Sequence, residues 1–288
     1  MLELVPGSPA VTIAGEGASP EAIAAINAEY GFDDSAAKRY ADWVGGIFRG
    51  DLGTSYLDST PVFDAIKERA PVTLELALGA IILALLISIP LALFCAYRAG
   101  SWADRAVDAV TSALIAVPSF VTSLGLVYLL SVTLGWLPVT GWTALTDDPV
   151  DNLRHAFIPI LALSLPAAAV FQRVLRADLV GTLQQDFITL ARAKGSSPTA
   201  IVVRHALRPS SFSVLTVAGI RLAELVGGTV VIETIFSIPG LGAYLVQSVL
   251  NSDLVAVQGI VLLMAVAYLV INFAVDSTYR LLDPRVSR

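Results

Sequence analysis

"DFITLARAKGSSPTAIVVRHALRPS", residues 186–210, lies between two strongly apolar segments and carries Arg192, Lys194, Arg204 and Arg208. Phe187, Leu190, Ala191 and Lys194 follow the i, i+3, i+4, i+7 spacing of one helix face. Asp186 near the start and Lys194 near the end suit the helix dipole, and Gly195 is placed to terminate the helix. Ser197 and Pro198 then supply the N-cap and first position of a second short helix, expected to run to about Leu207 and to stop at Pro209. Two short helices at an angle form a rigid knob with an apolar tip and a basic rim, suited to docking. The same residues also suit a solvated loop that is basic because of the side of the membrane it occupies. Spacing alone leaves both readings open.

The rest of the chain decides that a membrane is present. Of its 288 residues, 56% are hydrophobic and 15% charged, against about 45–50% and about 25% in a soluble domain. The mean hydropathy is +0.74. Five spans are expected, at about 74–97, 106–135, 156–172, 211–235 and 254–275. The third is short and holds Pro159 and Pro166, so a kinked or protein-lined segment is expected there.

Basic loops stay in the cytoplasm. Segments 98–105, 173–210 and 276–288 hold eleven of the eighteen Lys/Arg, whereas 1–72, 136–155 and 237–253 hold six. This puts the 186–210 loop and the C-terminus in the cytoplasm of a multi-pass membrane protein. Residues 1–72 then lie outside, and they alone carry eleven Asp/Glu and five Lys/Arg. "MLELVPGSPAVTIAGEG" has neither a basic n-region nor an apolar core of signal-peptide length. The expectation is therefore an upstream membrane helix, with unaided translocation as the alternative. The chain divides into an external helical segment, 1–72, and a transmembrane domain, 73–288, with the cytoplasmic loop at 184–210. "SPEAIAAINAEYGF" and "SAAKRYADWVGGIFRG" read as short external helices, and "RGD" at 49–51 as a glycine-containing turn.

No G-x-x-x-x-G-K-[ST] string occurs, so ATP binding by this chain itself is not expected. G-x-S-x-G, H-E-x-x-H and paired-cysteine motifs do not occur either, and no catalytic residue is proposed. The two histidines, His155 and His205, are too far apart in sequence to suggest a metal site, and the net charge of −6 argues against nucleic acid. The fourth span carries Arg221 and Glu224, i, i+3 neighbours near the midplane. Insertion scales put such residues at about 2.5–3.5 kcal/mol each at a helix centre. They form a neutral pair against another helix, or they line a polar path. Glu233 falls near the outer mouth, where it meets a cationic group or is simply solvated. Gly227 and Gly228 permit close approach of another backbone.

"TLARAKGSSPTAIVVRHALRPS" resembles the cytoplasmic loop of ABC-importer permeases, in the "ARAKG…HALR" form of the dipeptide, oligopeptide and nickel group. "LVPGSPA" at 4–10, "RGDLGTSY" at 49–56, "LPVTG" at 137–141, "VIETIFSIPGLG" at 231–242, "VQGIVLL" at 257–263 and "LDPR" at 282–285 resemble the same group in the same order. The resemblance covers essentially the whole chain. It implies an all-α, type I importer permease fold with six spans, of which the first is missing from the five counted here. It also implies that the loop is a coupling helix docking on an ATP-hydrolysing subunit, through Phe187, Leu190, Ala191, Arg192, Ala193, Lys194, Gly195 and His205. The partners it implies are a second permease, two ATP-binding subunits that hold ATP and Mg, and an external substrate-binding protein. Its cargo is a di- or oligopeptide, with nickel, glutathione or haem as alternatives. A secondary transporter coupled to ions is the competing class, for which an inverted repeat and more intramembrane carboxylates are expected.

Overall fold

The computed structural model describes residues 9–15, 17–56 and 59–282. The "LVPGSPA" stretch up to Ser8, the last three residues of "LDPR", and Arg288 lie outside the described residues. Three short helices come first, α1 (Pro9–Ala14), α2 (Pro20–Tyr30) and α3 (Ala36–Ile47). Ser19 and Ser35 cap α2 and α3, as their sequence positions predict. The "RGD" segment is a turn: Gly50 has a φ of 78° and Asp51 Oδ1 accepts the Gly53 N–H at 2.8 Å. Leu52 then packs on the bundle beside Val62 and Ile260.

The bundle consists of α4 (Val62–Tyr97), α5 (Trp102–Ala116), α6 (Ser119–Leu126) with a π-helical turn at Val127–Thr133, and α7 (Pro149–Thr182). It continues with α8 (Asp186–Ala193), α9 (Pro198–Ala200), a second π-helical turn at Ile201–Ala206, and α10 (Leu207–Gly228). The last elements are α11 (Val230–Phe236), α12 (Leu241–Leu250) and α13 (Leu254–Leu282). Among the described residues, four helical segments are long and apolar enough to cross a membrane alone: Val62–Tyr97, Pro149–Thr182, Pro198–Gly228 and Leu254–Val275. Two bent pairs bring the number to as many as six. Trp102–Ala116 and Ser119–Thr133 meet at 105°, and Val230–Phe236 and Leu241–Leu250 at 85°.

The first bend has a local cause. Val117 precedes Pro118 and is extended, at φ −89° and ψ 125°, as a residue before proline prefers. The third expected span proves to be the middle of α7, a 34-residue helix about 50 Å long at 1.5 Å per residue. Pro159 and Pro166 lie inside it without breaking it. Helix α7 packs against α4, α5, α6 and α10, and such enclosure is what makes proline tolerable in a membrane helix. Its contact with α4 is close: a Cβ on Gly79 would stand 2.6 Å from Ile160 Cδ1.

Two further expectations are corrected. Helix α4 starts at Val62, so the 72/73 division falls inside one continuous helix. The fourth expected span, 211–235, ends instead at Gly228 and Thr229, after which α11 and α12 fold into a bent hairpin.

Candidate functional site

The loop after α7 is closed at its base. Thr182 Oγ1 and Ser210 Oγ are 2.9 Å apart. Between them, α8 ends in a Schellman motif: Gly195 donates to Arg192 O at 3.0 Å and Ser196 to Ala191 O at 3.2 Å. Gly195 has a φ of 80°, a conformation that costs other residues roughly 1–2 kcal/mol. Ser197 then caps the next helix through Ala200 N. That helix does not stop at Pro209. It runs unbroken from Pro198 to Gly228, and the π turn at Ile201–Ala206 ends three residues before the proline. Such a widened turn lets a helix pass a proline by re-satisfying the carbonyls it frees.

Ile188 of α8 is buried in the cluster that also holds Leu179, Ile201 and Ala206, and Ala191 is buried beside it on the helix. Phe187 and Leu190 are 48% and 56% exposed. Arg192, Ala193, Lys194, Gly195 and His205 are exposed as well. Ala191 therefore departs from the expected docking face. It is on the inner flank with Ile188, and the outer flank is Phe187, Leu190 and Lys194. Val203, which the sequence reading passed over, adds an exposed apolar side chain on the adjoining π turn.

Arg221 and Glu224 do pair, with Nη1 2.7 Å from Oε2. Their side chains are 42% and 47% exposed, so the pair stands on the outside of this chain. Open space also surrounds Gly227 and Gly228, where an added Cβ would meet nothing within 4 Å. Gly219 differs: a Cβ there would lie 2.1 Å from Val275 Cγ2, so it is the contact between α10 and α13.

Glu233 is neither solvated nor free to meet a cargo. It is fully buried. Oε1 accepts from Thr73 Oγ1 at 2.8 Å and from Thr229 Oγ1 at 2.7 Å, and Oε2 accepts from Ala243 N at 3.0 Å. Thr73 Oγ1 in turn accepts from Leu241 N at 2.9 Å. Helix α12 begins at Leu241 after Gly240, which offers no side-chain cap, so the Glu233 carboxylate, ten residues before Ala243, and a hydroxyl on α4 serve its first amides. Gly240 and Gly242 make room: a Cβ on Gly240 would stand 2.4 Å from the Glu233 carboxylate, and one on Gly242 2.6 Å from Val230 Cα. The Thr229–Glu233 spacing of i, i+4 was legible in the sequence. The Thr73 partner, 160 residues away, was not.

This helical architecture has a counterpart among solved structures. Over 76% of this chain and 96% of the other, it superposes with a TM-score of 0.60 and 21% identity on a chain of the MetNI methionine ABC transporter in an inward-facing conformation. That likeness concerns the fold. The family described as "Binding-protein-dependent transport system inner membrane component" matches residues 88–288, and the N-terminal part of such membrane components matches residues 1–77. The chain belongs to this family and is an inner-membrane permease of an ABC importer. A Brucella abortus protein named "Putative peptide transport system permease protein" is 41% identical over 286 residues, covering 99% of this chain and 91% of that one. The glutathione transport system permease protein GsiC of Escherichia coli is 33% identical over 285 residues, covering 99% and 90%.

Proposed function

We propose that this permease carries di- or oligopeptides into the cell, driven by ATP that partner subunits bind with Mg and hydrolyse. The observation that carries this reading is α8. It is held from behind by Ile188 in the core cluster and by buried Ala191, ended by a Schellman motif, and presents Phe187 and Leu190 outward among the cations Arg192, Lys194 and Arg204. A surface helix that leaves two large apolar side chains uncovered is built to be covered by another protein. In the proposed complex two permeases stand side by side, two ATP-binding subunits dock on the cytoplasmic face, and an external binding protein delivers cargo. The loop at 184–210 and the C-terminus are cytoplasmic, by the distribution of Lys and Arg. Peptide cargo is supported by the relatives at 33–41% identity, and glutathione, itself a peptide, falls within the same class. Affinity purification of the tagged chain is expected to bring down ATP-binding subunits. Proteoliposomes holding that complex are expected to take up a labelled dipeptide only with ATP on the cytoplasmic side. Uptake driven by an ion gradient without ATP would overturn the reading.

Arg221 and Glu224 line the cargo path in this complex. A half-exposed ion pair on a membrane helix is costly against lipid, so its exposed face belongs against water or the second permease. The double variant Arg221→Met/Glu224→Leu is expected to assemble, because it removes both charges together and leaves neither without its partner. Its uptake is expected to fall about tenfold, equivalent to roughly 1.4 kcal/mol in the transport barrier, with ATP hydrolysis continuing. Uptake at the parent rate would leave the pair with a structural role only.

A further inference from the structure

Helix α5 is attached to the bundle mainly by charge. Its fully buried residues are Asp104 and Thr111, neither of them apolar. Of its larger aliphatic side chains, Val107 and Leu114 are only partly buried and Val110 and Ile115 are exposed. Its main neighbour is α7, and two ion pairs join them. Arg176 donates from Nε to Asp104 Oδ1 and from Nη2 to Asp104 Oδ2, each at 2.5 Å, the fork geometry that fixes direction as well as distance. Arg173 Nε lies 3.5 Å from Asp108 Oδ1. Residues 104 and 108 share one face of α5, and 173 and 176 one face of α7, so the pairs are successive rungs between antiparallel helices. The inner rung is further fixed by the turn after α4. Gly100 N donates to Asp104 Oδ2 at 2.9 Å, and Ser101 Oγ accepts the Asp104 N–H at 3.3 Å.

The position of these rungs gives them a mechanical meaning. Arg176 is six residues before the end of α7, or about 9 Å along the axis, and α8 follows at Asp186. At its other end α5 bends through 105° into α6, which packs on α7 and α11. We propose that the two rungs make α5 travel with α7, so that a displacement of α8 by a docked partner reaches the bend at Pro118 and the α6 segment beyond it. Asp104 and Arg176 are positioning residues for transport and touch neither cargo nor partner. This rests on the transport reading above. An apolar contact would let two helices slide past each other. A two-pronged ion pair holds their register, and with Asp104 almost fully buried, separating it is costly.

The test uses the complex with its ATP-binding and substrate-binding partners. Arg176→Met is expected to keep ATP hydrolysis stimulated by loaded binding protein while uptake per ATP falls about tenfold, within the usual span of coupling between sites. Arg176→Lys keeps the charge but loses the fork, so part of the uptake is expected to return. A purely structural role would lower hydrolysis and uptake together, and an unchanged uptake per ATP in Arg176→Met would overturn the proposal. Spin labels at Ala109→Cys and Ala177→Cys, in a Cys95→Ser background, give a second measurement that needs no change to the ion pairs. Their separation is expected to stay constant between nucleotide-free and ATP-bound complexes, and a shift overturns the proposal even where Arg176→Met does not assemble. A parent complex without ATP-dependent uptake overturns the transport reading and this proposal with it. A parent that transports beside an Arg176→Met variant that transports equally well overturns this proposal alone.

Discussion

Phe187→Asp is expected to abolish recovery of the ATP-binding subunits with this chain, while membrane insertion and the amount of permease stay unchanged. The side chain is half exposed, so removing it takes little from the permease core. At a docked interface the ring is buried, which is worth about 1.5–3 kcal/mol for a side chain of this size. An uncompensated carboxylate adds a further penalty. A combined loss of about 3 kcal/mol would weaken association more than a hundredfold. Ala191→Arg is the informative contrast. Ala191 is buried on the same flank as Ile188, so a long cation there disrupts the seat of α8, and the amount of folded permease falls as well. Normal co-purification in Phe187→Asp would remove α8 as the docking element.

Glu233→Leu is expected to destabilise the permease by about 3–5 kcal/mol, because it strands three buried neutral donors at about 1–3 kcal/mol each, partly relieved by rotation of the two hydroxyls. The Thr229 hydroxyl and the Ala243 amide lose their acceptor, and the Thr73 hydroxyl loses the carboxylate it donates to. Glu233→Gln keeps one acceptor oxygen but turns an NH2 group toward groups that are themselves donors. About 1–3 kcal/mol is expected for that change. Gly240→Ala strikes the same place from the other side, because its Cβ falls on the carboxylate. Thermal unfolding of the purified chain in detergent reads all three. An unchanged midpoint in Glu233→Leu would show that the clasp contributes nothing.

The parts of this fold visible in the sequence are those set by neighbours in sequence. Ser19, Ser35, Ser197 and Gly195 hold the caps their positions predicted, because a cap depends on the next few residues. The helix spacing placed α8 correctly, but 3.6-residue periodicity does not say which flank of a stripe faces inward. Packing of Ile188 and Ala191 against α7 and the π turn decides that, and it put Ala191 on the wrong side of the expected site. Helix α7 was under-read because Asn152, Gln172, Arg173 and Arg176 lower its hydropathy, whereas Asn152 and Gln172 are buried by other helices. The break at Thr229 and the burial of Glu233 depend on Thr73, a residue on another helix, and no local pattern reports such a partner.

The closed base of the 183–209 segment bears on how such permeases diversify. Its two ends are pinned at Thr182 and Ser210, and its buried anchors are the small set Ile188, Ala191, Ile201, Val202 and Ala206. Closing a loop costs little that depends on what the loop contains. The outward residues can therefore be rewritten without disturbing the helices that enclose the cargo. On the docking role proposed for α8, the segment is a cassette, and exchanging it between related permeases is expected to change which ATP-binding subunit each one accepts.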